Sequence, residues 1–280
     1  MRASIEARGL LEPANIWQNP LKPMEPTLDS VKIAVQLYTL RDLMADDFFG
    51  TIEKLAEIGF KTGQPAGLFG NNPKKVRKRC DDIGFRLIAP HVGLDDLEKR
   101  PGKVAKTCQA LGTQHAVLPW IGKDVYADGW GLVADRLERI GKRLIEDGIR
   151  LLYHNHAFEF EQDKLQKRPG FQVLWEAANP EYVQCEMDAY WVQYGGGDPV
   201  AYLNRLSGRV VTMHFKDMSA EADRGFEDVG SGVLQWDPII EAARETNVQY
   251  AIIERDTCIE SPFVHVRRSR EYMLKMGLRD

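Results

Sequence analysis

The stretch Leu151–Phe160, LLYHNHAFEF, begins as an apolar run and ends in two histidines, an asparagine and a glutamate. A buried strand has this composition when its last residues open into a site. Side chains alternate along a strand, so His154 and His156 are expected on one face and Asn155 on the other. Two imidazoles on one face indicate metal or proton chemistry, although one core histidine and one solvated histidine would explain the stretch equally well.

From residue 31 onward, short apolar runs alternate about eight times with longer amphipathic segments. We predict strands at 31–38, 60–66, 86–92, 115–121, 149–156, 182–190, 209–216 and 249–256. We predict helices near 47–58, 73–83, 101–111, 129–147, 171–178, 197–207, 236–246 and 264–276. Asp-Pro pairs at 198–199 and 237–238 indicate helix starts, and glycines fall where helices should end, at 59, 84, 112 and 148.

Eight βα units of this length predict a single α/β domain, a (β/α)₈ TIM barrel over residues 31–280. An open doubly wound sheet is the alternative, but no G-x-G-x-x-G follows the first strand. Residues 1–30 contain four prolines and no sustained period. They predict an extended N-terminal arm, either disordered or packed on the barrel or on a second subunit.

Composition limits the classes of partner. The chain of 280 residues has 37 Lys and Arg against 41 Asp and Glu, a formal net charge of −4. This balance creates no positive electrostatic potential that would attract a polyanion, so no nucleic-acid partner is expected. No apolar run is long enough to span a membrane and no secretory signal is evident, so we expect a cytoplasmic protein. Four widely spaced cysteines predict free thiols.

Ionisable side chains gather where the predicted strands end. They are His91, His154, His156, Asp188, His214 and Glu254. The active site of a TIM barrel lies at this end of its strands, so these side chains are expected to meet. Histidine with carboxylate suits a borderline divalent ion such as Mn²⁺, Co²⁺ or Zn²⁺, with Mg²⁺ less favoured.

Three of these residues also have a structural explanation. Asp188 could cap the following helix, His214 could bond Asp217, and Glu254 could pair near Arg255. No short metal motif such as H-E-x-x-H is present, so a metal site would have to be assembled from separate strands.

The chain resembles the sugar phosphate isomerase/epimerase family, the xylose-isomerase-like barrels that include inosose dehydratases, tagatose-type 3-epimerases and an abasic-site endonuclease branch. The resemblance covers nearly all of residues 31–280. The matching segments are VQLYTLRD (35–42), LAEIGFK (55–61), AGLFG (66–70), APHVGLDDLE (89–98), YHNHAFEF (153–160), EMDAYWVQYGGGDPV (186–200), MHFKDM (213–218), VGSGVLQW (229–236) and IIERDTC (252–258).

The resemblance implies one divalent metal ion held at the ends of the fifth to eighth strands by His154, Asp188, His214 and Glu254. In the epimerase branch the fifth-strand ligand is a glutamate, so Glu159 is an alternative ligand here. Epimerases of this type use two metal-bound carboxylates on opposite faces of the substrate. With only one carboxylate clearly in place, the histidine-rich fifth strand is more similar to that of the inosose dehydratases.

We therefore expect a divalent-metal-dependent isomerase or epimerase acting on a ketose or keto-sugar, with a dehydratase on a keto-sugar or inosose as the alternative. A metal ion chelating the carbonyl and an adjacent hydroxyl would stabilise the enediolate. Glu254, or a neighbouring histidine, would remove the proton, and His156 or Lys216 would donate one. A salt bridge of Lys216 to Asp188 or Asp217 is the structural alternative.

The substrate is expected to be a small sugar. Tyr38 and Trp191, with Tyr190, would form an apolar wall against the sugar ring, while Gln64 and His91 would provide polar contacts. Gln64 replaces an acidic residue that is common in relatives, and it cannot act as a base. The glycines at 195–197 are explained equally well by a phosphate cradle and a tight turn, and the loop 230–232 is a better anion candidate.

Two other classes remain open. Gln64 and His154 in place of carboxylates would also fit a non-catalytic carbohydrate-binding barrel. An abasic-site endonuclease is disfavoured because no basic cluster lies near the predicted strand ends. Family members often pair, so a homo-oligomer is a further expectation.

Overall fold

The computed structural model describes residues 31–280, and the predicted arm 1–30 lies outside the described residues. Ten strands follow one another along the described residues: β1 Lys32–Gln36, β2 Thr62–Gln64, β3 Arg86–Leu87, β4 His115–Leu118, β5 Arg150–His154, β6 Val183–Asp188, β7 Val210–Phe215, β8 Asp217–Met218, β9 Phe226–Glu227 and β10 Tyr250–Ile253. The helices are α1 Arg41–Asp46, α2 Phe48–Ile58, α3 Pro73–Asp82, α4 Leu94–Lys99, α5 Pro101–Leu111, α6 Lys123–Tyr126, α7 Trp130–Ile145, α8 Gly170–Ala177, α9 Ala189–Tyr194, α10 Pro199–Arg205, α11 Trp236–Glu245 and α12 Pro262–Lys275.

Eight of the strands form one parallel sheet in the order β3-β2-β1-β10-β7-β6-β5-β4. The two ends of this sheet meet where His91, beyond β3, forms a parallel bridge with Val117 in β4. The amide of Val92 donates to the carbonyl of Val117, and the amide of Val117 donates to that of Pro90. These bonds close the predicted TIM barrel. The two remaining strands, β8 and β9, form a small antiparallel ribbon beyond β7.

The strands are shorter than predicted, and the difference falls mainly at their C-terminal ends. The first strand stops at Gln36 because its side chain accepts a hydrogen bond from the amide of Tyr38 and starts a short 3₁₀ helix. The third strand ends at Leu87. Ala89 has a φ of +37°, and Pro90 has no amide proton to donate to a ladder. The residues freed in this way form the loops that surround the site.

Helix boundaries follow the predicted capping signals with one exception. Asp198 accepts a hydrogen bond from the amide of Val200 and caps α10, and Gly59 ends α2 with a φ of +113°. Asp237 is not an N-cap, because α11 already begins at Trp236. The helices α1, α4, α6 and α9 were not predicted, and all are short.

The barrel interior changes from apolar to polar along its axis. A small cluster fills the interior on the side where the strands begin: Ala34, Ile88, Ala89, Val117, Leu152, Val211 and Ile252. Beyond it, inward-facing positions carry buried polar side chains such as Gln64, His154, Glu186 and Thr212. A larger apolar core lies between the strands and the helices. The polar layers at the carboxyl ends of the strands therefore mark the site.

Among residues 31–280, no helix combines the length and apolar character that a membrane span requires.

Candidate active site

An open pocket of about 570 Å³ lies at the carboxyl ends of the barrel strands. Its volume is in the range of pockets that bind small molecules. Predicted site residues in its lining are Tyr38, His91, His154, His156, Lys216 and Glu254. The structure therefore brings together side chains from loops that follow β1, β3, β5, β7 and β10.

Glu186, which the sequence analysis missed, lies at the centre of the polar layer below this pocket. It is fully buried in β6, in register with His154 of β5. One carboxylate oxygen, Oε1, lies 2.8 Å from Nε2 of His91 and 3.1 Å from Nε2 of His214. The other, Oε2, accepts hydrogen bonds from Gln64 and Thr212 at 2.6 and 2.7 Å.

Gln64 belongs to the floor of the site. It is fully buried, and its amide nitrogen donates to Glu186 and to the carbonyl of Ala89. Its oxygen accepts a hydrogen bond from Gln36 at 2.7 Å and lies 2.8 Å from Nε2 of His214. Because both ends of the amide are engaged below the pocket, its position does not suit the substrate contact that we expected.

His214 lies between two carboxylates. Its Nδ1 is 2.8 Å from Oε2 of Glu254, and its Nε2 is 3.1 Å from Oε1 of Glu186. Burial by itself would lower the pKa of His214, but the two carboxylates outweigh it and raise that pKa to about 10. The predicted alternative bond from His214 to Asp217 is not present, because Asp217 binds a different loop.

Lys216 is buried among three carboxylates. Its ammonium lies 2.8 Å from Glu254, 3.2 Å from Asp188 and 3.1 Å from Asp256. Burial would lower the pKa of Lys216, but these carboxylates raise it above its ordinary value. Burial would raise the pKa of Glu254. The charge of Lys216 helps to outweigh burial and holds that pKa well below its ordinary value. At neutral pH the pair is therefore a carboxylate beside an ammonium.

Asp188 and His154 meet at the ends of neighbouring strands. Asp188 accepts a hydrogen bond from the amide of Trp191 and caps α9, which is the structural role considered for it from the sequence. Its Oδ2 lies 3.8 Å from Nε2 of His154. Burial raises the pKa of Asp188 to about 6 and lowers that of His154 to about 4. Within residues 31–280, neither Oδ2 of Asp188 nor Nδ1 of His154 has a hydrogen-bond partner.

Glu159, the predicted alternative ligand, is placed on the other side of β5. Its buried carboxylate accepts hydrogen bonds from the hydroxyl of Tyr153 at 2.6 Å and from the amide of His156 at 2.8 Å. Tyr153 alternates with His154 along the strand, and its ring packs against Trp175. Glu159 therefore fixes the turn after β5 and belongs to neither group of candidate metal ligands.

Replacing Tyr153 with phenylalanine is expected to destabilise the fold by about 1–3 kcal/mol, because a buried carboxylate oxygen loses its donor. Burial raises the pKa of Glu159 to about 8, and the Tyr153 hydroxyl opposes that rise. Without the hydroxyl the pKa increases further, so the loss should be greater at pH 9 than at pH 6. Urea unfolding at both values would measure it, with Tyr182→Phe as control. Equal stability of Tyr153→Phe and wild type at pH 9 would contradict this role.

Of the predicted aromatic wall only Tyr38 lines the pocket, while Trp191 and Tyr190 lie behind its lining. The ring of Trp191 lies 5.4 Å from that of His156 and 5.4 Å from the Lys216 ammonium. Tyr190 is buried and donates to the carbonyl of Arg224, so it supports Trp191 from behind. The pocket also contains Trp120, which was not predicted and is 58% exposed.

The two glycine loops considered for phosphate binding have other roles. Gly195 and Gly197 donate to carbonyls of α9 and turn the chain into α10. In the second loop, the amides of Gly230 and Gly232 donate to Oδ2 of Asp217 at 2.9 and 3.1 Å. The loop 230–232 is therefore not an open anion site, because a carboxylate of the chain already occupies it.

The residues at the barrel mouth fit a divalent ion. Two overlapping groups have ligand atoms that all lie within 4.8 Å of one another: His91, His154, Glu186 and His214 in one, and Asp188, His214 and Glu254 in the other. Nδ1 of His154 has no hydrogen-bond partner within residues 31–280, and Oδ2 of Asp188 has only the ion pair with Lys216 at 3.2 Å, so both atoms could ligate an ion. Nitrogen and oxygen donors together suit Mn²⁺, Co²⁺ or Zn²⁺.

The fold is a TIM barrel, and its layer of histidines and carboxylates could hold a metal ion. A family model described as the xylose isomerase-like TIM barrel matches residues 52–274. The chain belongs to this family.

Relatives of the chain include enzymes. It is 23% identical over 265 residues to inosose dehydratase from Geobacillus kaustophilus, covering 79% of this chain and 85% of that one. It is 26% identical over 267 residues to inosose dehydratase from Lacticaseibacillus casei, covering 81% and 88%. A sugar phosphate isomerase/epimerase structure from Parabacteroides distasonis superimposes with a TM-score of 0.74 at 22% identity, covering 89% and 95%. The similarity to this last structure shows that the two proteins share a fold.

Proposed function

We propose that the chain is a divalent-metal-dependent lyase that removes a proton next to the carbonyl of a keto-sugar or inosose and expels a hydroxyl as water. The observation that carries this proposal is the pair formed by Glu254 and Lys216, whose charged groups lie 2.8 Å apart at the wall of the pocket. One is a proton acceptor and the other is a proton donor at neutral pH.

The carboxylate of Glu254 accepts the proton from the carbon next to the carbonyl. The carbon–oxygen bond of the leaving hydroxyl then breaks, and Lys216 supplies the proton with which that oxygen departs as water. His156 is less suited to this step, because burial holds its pKa well below its ordinary value. Transfer between positioned groups of this kind contributes about 10²–10⁴-fold to a rate. A bound divalent ion would supply Lewis-acid polarisation of the carbonyl, which makes the adjacent proton more acidic.

Elimination suits the site better than epimerisation because of where the carboxylates lie. Epimerisation at one carbon needs a base on one face of the substrate and an acid on the other. Glu159, the carboxylate that could have served the second face, is buried against Tyr153 on the far side of β5. Glu254 and Asp256 both lie around the same ammonium of Lys216.

Isomerase or epimerase activity is the second candidate, and His156 is the observation that favours it. His156 lines the pocket, and its Nδ1 has no hydrogen-bond partner within residues 31–280. If His156 and Glu254 serve opposite faces of one carbon, the product keeps the mass of the substrate and changes only its stereochemistry or its carbonyl position.

The experiment that tests the proposal is incubation of the metal-loaded protein with a panel of inososes and keto-hexoses, followed by mass spectrometry and NMR. We expect a product lighter by one water from at least one member of the panel. A product of unchanged mass and altered stereochemistry would overturn elimination in favour of epimerisation. No conversion of any member by folded, metal-loaded protein would overturn both.

A further inference from the structure

We propose that Asp256 is the counter-ion that holds the Lys216 ammonium at the wall of the pocket, while Asp188 and Glu254 serve metal binding and proton transfer. Asp256 is therefore a positioning residue, because it acts through Lys216 and not on the substrate. The acid role of Lys216 rests on the proposed function, whereas the charge pair can be tested by metal binding alone. Asp256 was not among the site residues predicted from the sequence.

Both carboxylate oxygens of Asp256 face the Lys216 ammonium. Oδ1 lies 3.1 Å from Nζ and Oδ2 lies 3.3 Å from it. The side chain of Lys216 is 2% exposed and that of Asp256 is 25% exposed, and both line the pocket. The pair therefore joins a buried ammonium to a carboxylate at the pocket surface. An ion pair buried to this extent is weakened much less by salt than one on the protein surface.

Three carboxylates surround the ammonium, which has three N–H donors. Besides Asp256, they are Glu254 at 2.8 Å and Asp188 at 3.2 Å from Nζ. Glu254 and Asp188 belong to a group whose ligand atoms could hold a divalent ion, and Glu254 is also the proton acceptor of the proposed reaction. Asp256 is in neither candidate group found among residues 31–280. Of the three carboxylates, it is therefore the one left to balance the Lys216 charge with an ion in place.

The loop that carries Asp256 is fixed on both sides of this residue. The amide of Arg255 donates a hydrogen bond to the hydroxyl oxygen of Thr39 at 3.0 Å, and its guanidinium donates to the carbonyl of Thr257 at 2.9 Å. The same guanidinium donates to the buried carboxylate of Asp228 at 3.1 Å. Because its neighbours are held, Asp256 loses little further conformational freedom when its carboxylate binds the ammonium.

Aromatic rings lie on another side of the ammonium. Nζ of Lys216 is 5.4 Å from the ring centre of Trp191 and 5.5 Å from that of Phe226. Rings at such distances attract a cation. Neither ring lines the pocket, whereas Asp256 does. The ammonium therefore lies between aromatic rings and a carboxylate at the pocket surface, which is a suitable position for a group that donates a proton to a bound substrate.

The first test compares Asp256→Asn with wild type on the keto-sugar or inosose that wild type converts best. We expect kcat to fall about 10–100-fold and KM to stay within about threefold, because a small displacement of a positioned group slows the reaction without weakening binding. Asp256→Glu should recover part of the lost kcat, and the control Asp237→Asn, at an exposed position of α11, should match wild type. An unchanged kcat in Asp256→Asn, or a change in KM alone, would overturn the proposal.

Titration with Co²⁺, followed by its visible absorption, tests the charge pair without turnover. Without its counter-ion, the Lys216 ammonium competes more strongly for Asp188 and Glu254. Asp256→Asn should therefore bind Co²⁺ about fivefold or more weakly, with absorption bands of unchanged shape, and in a Lys216→Met background the same substitution should change the affinity less than about twofold.

Equal losses of Co²⁺ affinity in both backgrounds would overturn the proposal, and so would altered absorption bands, because they would make Asp256 a ligand. If Lys216→Met fails to fold, an unchanged affinity in Asp256→Asn alone would overturn it. If Co²⁺ binds as described but no keto-sugar or inosose reacts, only the proposed function fails.

Discussion

Replacing Glu254 with glutamine is expected to lower kcat by about 10²–10⁴-fold on whichever keto-sugar or inosose the wild-type protein converts best. The substitution keeps the shape of the side chain but removes the carboxylate that would accept the substrate proton. It also removes the negative charge 2.8 Å from the Lys216 ammonium. The loss should appear in kcat rather than in KM alone, because proton transfer takes place after binding.

The matched control is Glu227→Gln. Glu227 forms a partly exposed ion pair with Arg255 and does not line the pocket. Its kcat should stay within a factor of about two of wild type, because it lies outside the reacting groups. If Glu254→Gln retained wild-type kcat while remaining folded, another group would have to accept the proton.

Replacing Asp217 with alanine is expected to destabilise the protein by about 3–5 kcal/mol, because several buried donors would lose one shared acceptor. The Asp217 carboxylate accepts hydrogen bonds from the amides of Gly230, Gly232 and Leu234 at 2.9–3.1 Å. It also accepts one from the indole nitrogen of Trp236 at 2.7 Å. Urea unfolding of the variant and wild type would measure the loss.

Asp217→Asn is the graded comparison for this prediction. An asparagine keeps one oxygen acceptor in place, so its free energy of unfolding should lie between those of wild type and Asp217→Ala. A loss below about 1 kcal/mol in the alanine variant would show that water replaces the carboxylate without cost.

The fold could be predicted because its signals are local. Apolar runs of strand length, Asp198 before Pro199, and Gly59 and Gly112 after α2 and α5 all mark element ends through backbone chemistry that needs no tertiary contact. The predicted strands extend past their observed C-terminal ends, because those ends depend on individual side-chain and backbone geometry. For example, the side chain of Gln36 accepts a hydrogen bond from the amide of Tyr38, two residues further on.

The site could be predicted in part. Side-chain alternation and strand order suffice to place His154, Asp188, His214 and Glu254 near one another. The same alternation would have identified Glu186, because it lies two residues before Asp188 and faces the same way in β6. A second carboxylate within one buried strand, two residues before Asp188, was the signal that could have identified it.

Other parts of the site depend on loops. Asp256 approaches Lys216 only because the chain turns after β10, and Trp120 enters the pocket from the loop after β4. The alternative ligand Glu159 could not be placed from sequence either, since its direction is decided by the hydroxyl of Tyr153. Such contacts join residues whose approach no local pattern encodes.

The charges of the site form one arrangement. Lys216 neutralises the carboxylates that face the pocket, while the imidazoles surround Glu186 below them. The proton-transfer pair at the wall of the pocket and the candidate metal ligands are therefore neighbours, and the proposed lyase chemistry needs both.

The most direct test of proton abstraction is solvent deuterium exchange. Metal-loaded protein is incubated in D₂O with inososes and keto-hexoses, and NMR monitors the protons next to the carbonyl. We expect deuterium to enter the remaining substrate or the product at that carbon in wild type, and at the background rate of a protein-free sample in Glu254→Gln. If folded, metal-loaded wild type gave only the background rate on every substrate, with no loss of water, the proposed chemistry would be wrong.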